Sequence, residues 1–140
     1  GYLKAMSLYR IPVNNSYSIL DKNMAFIFDE CPDKAIEEVK KIPKLPTAFF
    51  CCNDSEAIHL YKIFSSMGVS IPEDVSIIGF DDIESSKDIS PELTTMHIYK
   101  EAMGERAVKK LIDRINGEKL MEEKILLPTV LVERQSVKRL

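Results

Sequence analysis

Three short apolar runs in this chain each end in acids or amides: Phe28-Asp29-Glu30, Cys52-Asn53-Asp54 and Phe80-Asp81-Asp82. If these runs are parallel strands, their ends share one edge of a sheet, and open parallel sheets bind ligands outside the carboxyl ends of their strands. Two kinds of chemistry suit such an edge. A carboxylate offers acceptor oxygens with no competing donor, so it pairs with vicinal hydroxyls, while an Asn both donates and accepts. Together they make a polyol or nucleoside pocket. Clustered carboxylates also hold a hard cation, the basis of a Mg²⁺-dependent phospho-acceptor domain. That chemistry calls for a Lys at the end of a later strand, where Leu127-Pro128 and Glu133-Arg134 stand instead. Two of the strand ends also have a plainer use: Asn53 and Asp54 are good helix caps, and Asp81-Asp82 can start a turn.

Other constellations are weak. There is no Gly-x-Ser-x-Gly elbow, no Gly-rich phosphate loop, and no Cys-x-x-Cys or His pair at metal-ligand spacing. His59 falls on the polar face of a helix, and His97 follows a strand as a loop histidine. The expectation is a binding domain with no catalytic residue, no metal and no cofactor. Cys31, Cys51 and Cys52 read as small buried apolar residues of a reduced, cytoplasmic protein.

The elements that must position these residues alternate. Met24–Phe28 reads as a strand, followed by a helix opening near Pro32 with Ile36, Val39 and Ile42 on one face. Thr47–Cys52 is a continuous apolar run and reads as a buried strand. The next helix reaches Met67, and Gly68 is placed for its left-handed C-terminal cap. Ala57, Leu60, Tyr61, Ile63, Phe64 and Met67 fall in one arc of about 160°, while Ile58 lies among the polar residues. Val75–Phe80 is another strand, Asp81 to Pro91 a polar loop, and Leu93–Met96 a short β-prone piece. A helix covers Glu101 to Asn116 and ends at Gly117. One or two strands lie around Pro128, from Ile125–Leu127 and Val130–Val132. Strands alternating with helices give right-handed βαβ units and a mostly parallel α/β sheet.

The chain has 140 residues, about one domain's worth, with 19 Lys and Arg against 22 Asp and Glu for a formal charge of −3. That sign repels phosphate backbones, which argues against this segment gripping nucleic acid itself. No apolar run approaches the ~18–20 residues of a membrane span. The start, Gly1-Tyr2-Leu3-Lys4, has no signal-peptide pattern and no initiator Met, so a piece of a longer protein is expected.

Five segments in order carry a resemblance. They are Pro46–Asp54, Met67–Asp82, Pro91-Glu92-Leu93-Thr94-Thr95, Met103–Val108 and Leu131–Ser136, the last ending in Arg134-Gln135-Ser136. Together they resemble the lactose/galactose repressor family of bacterial transcription regulators. The resemblance implies a periplasmic-binding-protein-like effector domain, in which two α/β lobes close on a sugar or purine-like small molecule. Residues 1–96 and 125–137 would belong mainly to the second lobe, and 97–118 to the crossover and a helix of the first. A DNA-binding helix-turn-helix would lie outside this chain. Asp81 matches the family's hydroxyl-binding Asp, Asn53 a ligand-contacting position, and Asp54 a residue supporting that loop; the aromatic wall is expected near Phe28. Where the family often carries a Gln three residues after the Thr pair, this chain has Ile98, which removes a polar contact. Many members have a Gly where His59 stands.

The function implied is effector sensing by a transcriptional regulator that binds operator DNA as a homodimer. A sugar-binding transport protein of the same fold and the Mg²⁺ phospho-acceptor are the alternatives. Ile58 and Ile89 are expected at the dimer seam, since a two-fold interface reuses one patch on both subunits. The apolar half of the last helix, with Met103, Val108, Leu111, Ile112 and Ile115, is expected to find cover against a second copy.

Overall fold

The computed structural model describes residues 1–17, 32–118 and 121–139. The strand expected over Met24–Phe28, with Phe28, Asp29, Glu30 and Cys31, lies outside the described residues. Helix α1 (Tyr2–Leu8) is followed by α2 (Pro32–Lys40), β1 (Ala48–Phe50), α3 (Asp54–Met67), β2 (Ser76–Ile78), β3 (Thr95–Ile98), α4 (Lys100–Ile115) and β4 (Thr129–Val132). β1 pairs with β2 in parallel, and β3 with β4 antiparallel. Single parallel bridges, Ile78 to Thr94 and Asp81 to His97, join the two pairs, so β1, β2 and β3 all run the same way. The fold is α/β, with a parallel sheet closed by one antiparallel strand.

Helix α3 shows how the sequence builds the core. Its N-cap is Asn53, whose side chain accepts from the Glu56 N–H at 2.8 Å, satisfying one of the first-turn donors. Its C-cap is Gly68 at φ 70°, a left-handed conformation that costs glycine nothing. Between the caps Ala57, Leu60, Tyr61, Ile63 and Phe64 are buried. They meet Ala35 and Val39 of α2, Ile42 just beyond it, Phe49 of β1, Val75 and Ile77 around β2, and Leu93. The Phe49 and Phe64 rings pack tilted, 5.5 Å between centroids.

Helix α4 is amphipathic too, yet none of its residues is buried. Met103 is 50% exposed, Leu111 60% and Ile115 74%.

Several expectations need correcting. The run from Thr47 to Cys52 is not buried throughout: Phe49 and Cys51 are buried, whereas Ala48, Phe50 and Cys52 are exposed. Successive side chains of a strand point to opposite faces, and α2 and α3 cover only one of them. Cys52 is therefore not a core residue. Phe50, on the other face, stacks with Tyr2 of α1 at 6.1 Å. No strand forms over Ile125–Leu127, because pairing with β3 begins only past Pro128, which has no N–H to give a ladder. His97 lies inside β3 rather than in a loop. His59 is half-buried, with Nδ1 3.9 Å from a Glu56 carboxylate oxygen, rather than a free surface residue. Ile89 leans on the core instead of standing clear of it, and Ile58 is half-buried.

Candidate functional site

The described strand ends meet as expected at the carboxyl edge, but their acids are put to different uses. Asp54, the first residue of α3, is fully buried. Its Oδ2 accepts from the Ile83 N–H at 2.9 Å and its Oδ1 from the Thr95 hydroxyl at 2.5 Å. Its own N–H donates to the Phe80 carbonyl at 2.8 Å. One carboxylate thus ties the loop after β2 to the start of β3. Gly79 makes room for it: a Cβ at that position would collide with Asp54 Oδ1 and crowd Leu93. Asp54 therefore supports the edge from inside and presents no oxygen to a ligand.

Asp82 is equally occupied. Its Oδ1 accepts from the Arg134 guanidinium at 2.5 Å, and its Oδ2 lies 2.9 Å from His97 Nδ1. Burial alone would raise the Asp82 pKa, but the hydrogen bonds and charges of Arg134 and His97 outweigh it and hold the carboxyl below its ordinary range. The same guanidinium donates to the Leu93 carbonyl at 2.6 Å and to the Ser86 hydroxyl at 3.0 Å. Two residues on, the Ser136 hydroxyl donates to the Ile77 carbonyl at 2.6 Å and accepts from the Thr94 N–H at 2.8 Å. The chain's closing Arg134-Gln135-Ser136 is thereby stitched across β2 and β3.

Asp81 is left. Its N–H donates to the Met96 carbonyl at 2.9 Å, but its side chain has no hydrogen bond or ion pair to any described residue. It is half-buried and lines a cavity of about 380 Å³ with Asp82, His97, Ile98, Tyr99 and the first turn of α4. Both Asp81 (φ 110°) and Asp82 (φ 51°) have positive φ, which non-glycine residues rarely adopt. Asn53 sits at the end of β1; its cap uses the side-chain oxygen and leaves the amide nitrogen uncommitted to that bond. The Cys51 thiol, also at this end of β1, is buried, and burial pushes its pKa up to about 12. It stays a neutral thiol. Among the described residues no three His, Cys, Asp or Glu side chains are grouped to hold a metal ion.

Residues 1–137 match the family model of the periplasmic binding protein-like domain. The chain is 38% identical over 141 residues to the HTH-type transcriptional repressor PurR of Pasteurella multocida, covering 99% of this chain and 40% of that protein. It belongs to the lactose/galactose repressor (LacI) family. Among solved structures, a LacI family transcriptional regulator from Enterococcus faecium with bound ribose is 31% identical with a TM-score of 0.70, covering 97% of this chain and 49% of that one. The Escherichia coli transcriptional repressor ascG is 28% identical with a TM-score of 0.74, over 97% of this chain and 48% of that one. The chain spans about two-fifths of the length of the curated relatives it matches. Among the described residues no helix is long and apolar enough to cross a membrane.

The sequence singled out Asp81, Asn53 and Asp54; the structure brings all three to this edge, with Asp54 buried as a support, and adds the bridge through Asp82, which the sequence reading missed. Arg134 was visible only as a motif residue and His97 only as a loop residue. The signal that could have joined them is charge: one cation and one imidazole placed to meet the second acid of an Asp-Asp pair.

Proposed function

We propose that this chain is the effector-sensing part of a bacterial transcriptional repressor, with the effector seated at the carboxyl edge of β1, β2 and β3. The observation that carries this reading is the division of labour among the edge acids. Asp54 and Asp82 are spent on protein donors, while Asp81 faces a cavity with its acceptors uncommitted. An acceptor-only group there suits the paired hydroxyls of a sugar or nucleoside. Asn53 adds a second contact. Ile98 and the exposed Tyr99 make that side of the cavity less polar than a hexose site would need. The bound sugar of the ribose-containing relative supports this class of ligand. The Mg²⁺ alternative loses ground, since Asp54 and Asp82, two of the acids it would use, are already paired.

The whole protein acts as a homodimer in the cytoplasm, binding operator DNA through a helix-turn-helix outside this chain. The half-buried Ile58 and Ile89 sit at the seam. Residues 1–96 and 125–137 form the second lobe, and 97–118 carry the chain across to the first, where α4 packs. Effector binding favours one arrangement of the lobes and shifts operator affinity, a coupling that requires differential affinity for the two states. The test is a thermal-shift screen of sugars and nucleobases on the intact regulator, followed by operator binding with the best compound. A stabilising compound that alters operator affinity supports the reading; a compound that binds and leaves operator affinity unchanged refutes it. A charged substitution at both Ile58 and Ile89 should yield monomers in sedimentation, and an intact dimer would remove them from the seam.

A further inference from the structure

Asp81 and Asp82 are consecutive non-glycine residues with positive φ, and such a turn persists only where its surroundings impose it. The structure supplies the constraint from three sides. Before the turn, Gly79 N–H donates to the Thr94 carbonyl at 3.0 Å. After it, the Ile83 N–H is held by the buried Asp54. At the turn itself, the Asp82 side chain is gripped by Arg134, beyond β4, and by His97, within β3. Arg134 is only 9% exposed in its side chain and is itself fixed by Leu93 and Ser86, so it is a rigid anchor rather than a loose surface partner. Glu92 approaches its other edge at 3.8 Å, and the His97 ring meets Tyr99 edge-on at 5.1 Å.

We propose that Asp82, with Arg134 and His97, forms a positioning bridge that holds Asp81 in its positive-φ conformation and so presents the Asp81 carboxylate to the cavity. The bridge rests on the reading of Asp81 as the ligand contact. It adds that the contact is set by residues 15 and 52 positions away from Asp82, of which His97 also lines the cavity. His97 lies in the strand that leads into α4, so the bridge adds a side-chain tie to the backbone bond from the Asp81 N–H to the Met96 carbonyl.

The experiment leaves residues 81 and 82 unchanged, so that intrinsic backbone preference is not altered, and cuts the bridge with Arg134→Gln and with His97→Ala in the full chain. Scalar couplings at the Asp81 amide and Hα distinguish positive from negative φ by NMR. The bridge predicts that both variants lose the positive-φ signature at Asp81, Arg134→Gln more completely, while couplings in α3 stay as they were. A bridge that merely adds stability would lower the melting temperature and leave the Asp81 couplings untouched, which would overturn the proposal. If Arg134→Gln does not fold, His97→Ala decides alone, since it removes one partner of Asp82 and leaves Arg134 with Leu93 and Ser86. Failure of the ligand reading looks different: Asp81→Asn would bind the effector as the parent does, with the couplings and the bridge intact.

Discussion

Helices α3 and α4 have similar lengths and both are amphipathic, yet α3 buries six residues and α4 none. The difference does not lie in helix-forming quality, because α4 carries Met103, Val108, Leu111, Ile112 and Ile115 at helical spacing. It lies in what each helix is given to pack on. Helix α3 is inserted between two parallel strands, and its apolar arc is claimed by β1, β2 and α2. Helix α4 leaves the sheet after β3 with its stripe turned to solvent. An apolar stripe records that a surface is meant to be covered, and says nothing about which surface covers it. In the proposed reading the cover for α4 is the first lobe, and for this chain alone it is a second copy.

The largest effect that would sharpen this contrast is truncation within α3. Phe64→Ala removes a fully buried ring packed on Phe49 and should cost about 3–5 kcal/mol in denaturant unfolding. Asp54→Ala comes next. It strands the Ile83 N–H and the Thr95 hydroxyl, at about 1–3 kcal/mol for each unpaired group, so a loss of about 2 kcal/mol or more is expected. Gly68→Ala forces a side chain into the left-handed region and should cost about 1–2 kcal/mol. On the other helix, Leu111→Ala should change the stability of this chain by no more than about 0.5 kcal/mol when it is diluted below the concentration at which copies pair, since the side chain is exposed in the single chain. A loss at Leu111 matching that at Phe64 would break the comparison. So would light scattering that finds a clean monomer at micromolar concentration, which would mean the α4 stripe is covered from within.

Acid sensitivity divides the two regions again. The Asp82 carboxyl is held below its ordinary range, so its ion pair contributes stability above the unfolded value of about 3.9 and loses it as pH falls through the lower folded value. Thermal melts should show an acid-side loss that Asp82→Asn reduces. Substitutions on α4 should leave that limb of the profile where it was.

Much of the α3 region was legible because its determinants are local. The Asn53 cap, the Gly68 stop and the apolar arc between them all lie within sixteen residues of chain, and each follows from helix geometry. The parallel order of β1 and β2 follows from the helix between them. The site was half legible. Asp54, Asp81 and Asp82 look alike in sequence, each an acid just past an apolar run, and only the sheet order separates them. Thr95 reaches Asp54 across 41 residues and Arg134 reaches Asp82 across 52. No periodicity connects such positions. Phe50 and Cys52 misled for the opposite reason: an apolar run predicts a strand, but not whether both of its faces are covered.

The central claim is that Asp81 is the acid that meets the effector. Isothermal titration of the intact regulator with the sugar or nucleobase that stabilises it most, compared with its Asp81→Ala variant, tests this directly. Losing a charged hydrogen-bond partner at the ligand should cost about 1.5–3 kcal/mol, a weakening of about ten- to a hundredfold, with operator binding retained in the absence of effector. An unchanged dissociation constant in a folded Asp81→Ala protein would contradict the account.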